Sequence, residues 1–248
     1  MRASMIGLSA LALVASAAPA FAQDDTKDFT LTGSAALVSD YRFRGISQSG
    51  KRIAAQASAT LTHSSGFYGS FWASSIDDYV AAGADAELDL IAGYSTTVSG
   101  VTLDGGLLYY VYPSASKGVN TDFFELYGSI KGTVGPATLK AGVAYAPEQS
   151  ALTLTGPKLD NLYVYTDASF TIPDTAFGLS AHLGYSKDES FVTGDNYMDW
   201  SLGATYTWRA ATFGISYVDT DQAKNFLVTP GGRDIAKAGV VGSVTYAF

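Results

Sequence analysis

Strict alternation of apolar and polar side chains dominates this chain. Ile53, Ala55, Ala57, Ala59 and Leu61 interleave with Arg52, Ala54, Gln56, Ser58 and Thr60, and Ala86, Leu88, Leu90, Ala92 and Tyr94 interleave with Glu87, Asp89, Ile91, Gly93 and Ser95. A period of two sends successive side chains to opposite faces of a strand, whereas a helix repeats about every 3.6 residues. The template recurs at residues 101–109, 124–130, 139–145, 162–172, 179–185, 198–208, 213–218 and 240–248. With residues 31–44 and 67–77 this predicts twelve strands, the one at 213–218 being the shortest.

The connections alternate in length. Short turns fall at residues 63–66, 99–100, 135–136, 173–176 and 209–211, and longer polar loops at 45–50, 78–83, 113–121, 147–160, 187–196 and 220–237. A Greek-key sandwich has no reason to show that regularity, but an up-and-down transmembrane barrel with tight periplasmic turns and longer outer loops does. The fold class expected is therefore all-β, a closed antiparallel barrel with both chain ends on the periplasmic side. Closure follows from chemistry: hydrocarbon offers no partner to an unpaired backbone N–H or C=O, and a closed sheet has no edge. A soluble lipocalin-like or sandwich fold would need the apolar faces to turn inward.

Aromatic placement agrees with two water–lipid boundaries. Phe29, Phe67, Phe170, Phe177, Trp208, Phe213, Tyr246 and Phe248 fall at the inner strand ends, and Tyr41, Phe43, Tyr109, Phe124, Tyr145, Tyr185, Trp200 and Tyr217 toward the outer ends. Composition narrows the picture further. The chain has no cysteine, which removes thiol, disulfide and zinc–cysteine chemistry, and its net charge of -8 gives a nucleic acid no counterion-release advantage. Arg2, the apolar run at residues 5–18 and Ala20-Phe21-Ala22 read as a signal peptide over 1–22, cleaved before Gln23, with one barrel domain at 23–248.

The run Ser39-Asp40-Tyr41-Arg42-Phe43-Arg44-Gly45-Ile46-Ser47-Gln48-Ser49, followed by Gly66-Phe67-Tyr68-Gly69-Ser70-Phe71-Trp72-Ala73-Ser74, resembles the TorF-type porin family of proteobacterial outer membranes, along the whole mature chain. The tail Val244-Thr245-Tyr246-Ala247-Phe248 looks like the C-terminal signal read by barrel-assembly machinery, with Tyr246 and Phe248 as its aromatic positions. That resemblance implies an outer-membrane channel and brings no catalytic residues, no cofactor and no defined solute.

Function is sought on the inward face. Continuing the parity of the first strand points Asp40, Arg42 and Arg44 inward near the outer rim, as candidate eyelet residues, and Tyr41 and Phe43 to lipid. Arg52, Lys131 and Lys140 also have inward parity, with Glu87, Asp89, Asp104, Glu125, Asp167 and Asp199. Charged walls of both signs suit a water-filled passage, and the acidic excess predicts a mild cation preference. The same charges could instead pair across strands and fill the lumen. Barrels of about eight strands are filled by side chains and those of roughly 16 to 18 hold open channels, so twelve lies between. Tyr68, Trp72, Tyr110, Tyr112, Tyr127, Tyr163 and Tyr165 share the inward parity and either narrow the bore or line a path. The loop at 220–237, with Pro230-Gly231-Gly232, is a candidate for an inward-folded constriction.

An enzymatic barrel would need a poised nucleophile or acid–base set. His63 lies in a short inner turn and His182 faces inward without a suitably placed serine, so both read as satisfied polar residues. Asp77-Asp78 and residues 219–221 lack the spacing of a calcium loop, and neither metal nor cofactor is expected. Lys51, Lys224 and Arg233 read as solvated loop charges in reach of lipopolysaccharide phosphates. The expected function is passive diffusion of small hydrophilic solutes or ions across the bacterial outer membrane. The expected partners are membrane lipid, lipopolysaccharide, the assembly machinery and those solutes, with the oligomeric state open. The alternatives are a non-conducting structural or adhesive barrel and a barrel-embedded hydrolase.

Overall fold

A strand of about ten residues, tilted, crosses a bilayer, and its alternation decides which side chains meet lipid. The computed structural model describes residues 28–153, 158–188 and 195–248. The expected signal peptide, and parts of the loops expected at 147–160 and 187–196, lie outside those residues.

In chain order the strands are β1 (Phe29–Val38), β2 (Arg42–Phe43), β3 (Ile46–Ser47), β4 (Ala54–His63), β5 (Phe67–Ser75), β6 (Ala86–Val98), β7 (Val101–Val111), β8 (Phe123–Val134), β9 (Ala137–Gln149), β10 (Leu159–Thr171), β11 (Phe177–Asp188), β12 (Tyr197–Trp208), β13 (Ala211–Thr220) and β14 (Gly239–Ala247). Strands β2 and β3 pair only with each other, inside the first outer loop. The remaining twelve close into an antiparallel barrel in which each strand pairs with its neighbours in the chain and β14 returns to β1. At that seam Ser34 stands opposite Ala247 and Val38 opposite Ser243, and Gly33 and Phe248 exchange backbone hydrogen bonds of 2.9 and 3.0 Å.

The parity read from the sequence holds around the ring. Leu61, Leu103, Leu139, Leu202, Ile215 and Val240 are exposed on the outer surface, while their inward neighbours are buried or half-buried. All eight aromatics expected at the inner rim are exposed. The inner turns are tight: Ser99 and Gly100 carry φ of 50° and 83°, the two left-handed residues that a two-residue hairpin needs to match strand twist. Strand β13 is longer than expected, because Thr212, Gly214 and Ser216 continue the inward parity below and alongside Val218.

The first strand departs from expectation. It ends at Val38 instead of running to Arg44. Asp40 turns the chain, accepting hydrogen bonds from Arg42 Nε at 2.8 Å and Ser47 Oγ at 2.6 Å, while Ser49 Oγ accepts from the Tyr41 N–H at 2.9 Å. These local side-chain partners replace the sheet ladder that the backbone would otherwise need. Tyr41 is therefore 1% exposed and Phe43 partly buried, and neither belongs to the lipid-facing girdle. Tyr109, Tyr145, Tyr185 and Tyr217 remain exposed on the outer surface, with Phe124 and Trp200 partly so.

Candidate functional site

Residues 39–53 enter the barrel as a small hairpin. Arg42 pairs with Ser47 and Phe43 with Ile46, which leaves Arg44 and Gly45 as a two-residue tip. Their φ values of 47° and 79° are both left-handed, as such a turn requires. Gly45 also has no room for a side chain: a Cβ there would sit 2.5 Å from Thr220 Cγ2 and 2.8 Å from Asp199 Cβ. The tip thus rests against β12 and β13, and Arg44 extends from it to the far wall.

There the guanidinium meets a complete set of partners. Arg44 Nη2 donates to both carboxylate oxygens of Glu125 on β8, at 2.7 and 2.9 Å, and Nη1 donates to Asn161 Oδ1 on β10 at 2.7 Å. Its Cζ lies 4.3 Å from the centroid of the Tyr163 ring and 4.6 Å from that of Phe43. Burial by itself lowers the affinity of Arg44 for its proton, but the Glu125 carboxylate, together with the Tyr110, Tyr163 and Tyr197 hydroxyls, outweighs it and holds the pKa above the ordinary arginine value. The side chain is a fixed cation.

Two apolar clusters hold the rest of the loop. Tyr41 packs with Val38, Ala54, Trp72, Ile76, Tyr110, Tyr112 and Leu152 on one side, its ring centroid 5.1 Å from that of Trp72. Ile46 packs with Tyr197, Ile235 and Ala236 on the other. Burying one such side chain contributes about 1.5–3 kcal/mol, so the clusters outweigh what a buried ion pair adds over apolar packing. Polar ties add register: Ser47 N–H donates to Ile235 O at 3.0 Å, Tyr79 Oη to Ser47 O at 2.5 Å, and Arg42 Nη1 to Lys237 O at 3.0 Å. Burial pushes the Tyr79 phenol up to about 12. The loop expected as a constriction, 220–237, instead closes over this hairpin through Ile235 and Ala236, because the hairpin already occupies the bore.

The other candidate residues fall into place around it. Asp40 and Arg42 are buried and paired within the hairpin. Glu87 and Asp89 on β6 are buried inside the outer half, with Tyr41 Oη donating to Glu87 at 3.2 Å. Asp104 on β7 accepts from Tyr68 Oη at 2.9 Å, and Tyr68 also bonds Tyr127. Lys131 and Lys140 stand opposite each other on β8 and β9, with Lys140 Nζ 5.2 Å from the Tyr165 ring centroid. Asp167 and Asp199 bracket His182, at 2.6 Å from Nδ1 and 3.1 Å from Nε2. Arg52 is misplaced by the sequence reading. It precedes β4, its side chain is 61% exposed at the outer rim, and it pairs with Asp77 at 2.6 Å.

The inner half of the interior differs from the outer half. Charged groups line β7 to β11, while the facing wall carries small hydroxyl residues, with Ser34 2.9 Å from Ser58 and Thr60 2.7 Å from Ser70. These side chains are half-buried, in contrast to Ile46, Ser47 and Tyr41 above them. Half-buried polar side chains thus line the inner half, the vestibule beneath the packed hairpin. His182 contacts carboxylates and Tyr163, and His63 makes a local 2.7 Å contact with Ser65 in an exposed turn.

Asn161 escapes the sequence reading because it sits at the junction of a loop and a strand. Its signal was parity, since Asn161, Tyr163, Tyr165 and Asp167 share one face of β10.

A closed sheet with an apolar belt, aromatic rims and a polar interior defines a transmembrane β-barrel of the bacterial outer-membrane type. The chain belongs to the family described as bacterial protein of unknown function, Gcw_chp, whose sequence model matches residues 22–248. A search among curated proteins finds no match. Among solved structures, the NanC porin is 11% identical and superposes with a TM-score of 0.56 over 88% of this chain and 99% of its own. A structure from a study of in-meso crystallization of membrane proteins is 12% identical, with a TM-score of 0.53 over 88% of this chain and 83% of its own. These likenesses establish the barrel fold.

Proposed function

We propose that the protein is a porin: a passive diffusion channel for small hydrophilic solutes or ions in the outer membrane, with residues 39–53 as its constriction. The observation that carries this reading is the polar, half-buried lining of the inner half of a closed barrel, ending at a hairpin packed across its outer half. The likeness to the NanC porin and the resemblance of the Ser39–Ser49 and Gly66–Ser74 segments to TorF-type porins support it. No chemical step is assigned. Barrel-assembly machinery would read Tyr246 and Phe248 during insertion, and lipid and lipopolysaccharide would surround the belt.

The charge pattern supports a weak cation preference. Arg42 and Arg44 each face a carboxylate, so along the wall Glu87, Asp89, Asp104, Asp167 and Asp199 outnumber Lys131 and Lys140. A second reading, a barrel that does not conduct, is favoured by the burial of Ile46 and Ser47 at 1% and 0% exposure. Conductance of the purified protein in planar bilayers separates them: discrete steps support the porin, and persistent silence of a correctly folded barrel supports the closed structural role.

A further inference from the structure

The receptor for the Arg44 side chain is built by the barrel wall and does not depend on the loop that fills it. Glu125 is oriented by Tyr110 Oη, which donates to its Oε2 at 2.9 Å. Asn161 uses its Nδ2 on Ser186 Oγ at 3.1 Å and Lys187 O at 3.2 Å, which leaves Oδ1 turned toward the guanidinium. Tyr163 is fixed edge-on by Asp199 at 3.0 Å and His182 at 2.9 Å, so its face is presented to the same point. Two carboxylate oxygens, one amide oxygen and one aromatic face converge there.

That lining accepts hydrogen bonds and offers a π-face. Its shape matches a flat cation with several in-plane donors, and a compact ammonium satisfies it less well.

We propose that this pocket, formed by Glu125, Asn161 and Tyr163, is a binding site for small solutes that carry a guanidinium group, and that Arg44 occupies it as an intramolecular surrogate. A solute entering from the vestibule competes with Arg44, and its binding releases the hairpin tip. The inference rests on the reading of residues 39–53 as the constriction and adds the solute class that opens it. Tethering gives Arg44 a high effective concentration, so the free solute binds the intact protein weakly and the protein lacking Arg44 more tightly.

The test is calorimetric titration of ethylguanidinium into folded Arg44→Ala barrel, with ethylammonium at matched ionic strength for comparison. Saturable binding is expected, weaker for ethylammonium, and weaker by about tenfold or more in Arg44→Ala/Glu125→Gln, the scale of a lost charge-assisted hydrogen bond. No saturable binding to Arg44→Ala, or binding indifferent to Glu125→Gln, overturns the proposal. A second arm uses the wild-type barrel and decides alone should Arg44→Ala not refold: cleavage after Phe43 by chymotrypsin, whose specificity pocket is apolar, is expected to be faster in ethylguanidinium chloride than in ethylammonium chloride of equal ionic strength. Equal rates overturn it. Neither arm reads conductance, so a failure here is distinct from a failure of the porin reading, which the bilayer recording tests.

Discussion

Arg44, carried by the loop that follows β1, meets Glu125 of β8 at 2.7 Å, although β8 stands five strands from β1 in one direction around the ring and seven in the other. The contact therefore crosses the bore. An extended strand could not make it, because the ladder would hold Arg44 against its own neighbours. A hairpin that leaves the wall at Ser39 can.

Removing the carboxylate leaves a buried guanidinium facing an amide. Breaking one side of a buried ion pair costs about 3–5 kcal/mol. The loss here is limited by escape of the hairpin to water, so Glu125→Gln is expected to favour the released loop by about 3 kcal/mol, on the order of a hundredfold in population. Hydrogen–deuterium exchange across residues 39–53 measures it, and unchanged protection would show that the apolar clusters alone hold the loop.

Alkali loosens the same loop through Tyr79. Its phenol donates to Ser47 O and is pushed up to about 12 by burial. A raised pKa means that the packed state holds its proton where the released state has lost it. The contribution is full below about pH 10, the ordinary phenol value, and shrinks as pH rises toward about 12. Protection of the loop amides, taken relative to the intrinsic exchange rate at each pH, should fall across that window in wild type, and Tyr79→Phe should flatten the fall. An identical profile in both proteins would assign the effect elsewhere.

Gly33 marks the closing seam. A Cβ there would lie 2.6 Å from the Phe248 ring and 2.9 Å from Ser58 O. Gly33→Ala must displace that ring, at about 1–3 kcal/mol, the usual cost of overpacking. Lower thermal stability and slower refolding, read from heat-modifiable gel mobility, are expected. Phe248→Ala in the same background should recover part of the loss, since the clashing ring is gone.

Parity gives a test of the membrane-facing surface. Ile215 points outward and is 58% exposed, while its neighbour Ser216 points inward. Ile215→Arg places a charge in hydrocarbon and should cost about 2–4 kcal/mol in lipid vesicles. Ser216→Arg should cost less, because its side chain faces the interior of the barrel and not hydrocarbon. Equal losses in denaturant titrations would mean that the two faces have been confused.

Most of the barrel is legible in the sequence for one reason: every second residue of a spanning strand must suit hydrocarbon, and that constraint writes a period of two along each strand. The inward parity of Glu125, Asp167 and Asp199 follows from it. The hairpin is harder to read because Tyr41, Arg42, Phe43 and Arg44 continue the alternation of β1 in sequence after the chain has left the wall. What breaks the strand is Asp40, Ser47 and Ser49, whose side chains satisfy the turning backbone locally. The pair Arg44-Gly45 between Phe43 and Ile46 was the available hairpin signal. Arg52 illustrates the converse, since parity extended one residue beyond a strand end assigns a rim side chain to the lumen. Which charges pair across the bore depends on the hairpin, and so lies beyond any strand-by-strand reading.

Single-channel recording of wild type beside Arg44→Ala in planar bilayers tests the central claim most directly. A vestibule closed by a latched hairpin predicts discrete steps in both proteins, with a several-fold larger conductance or longer open time in Arg44→Ala. Silence from both folded barrels, or steps of the same size and duration in the two, would contradict it.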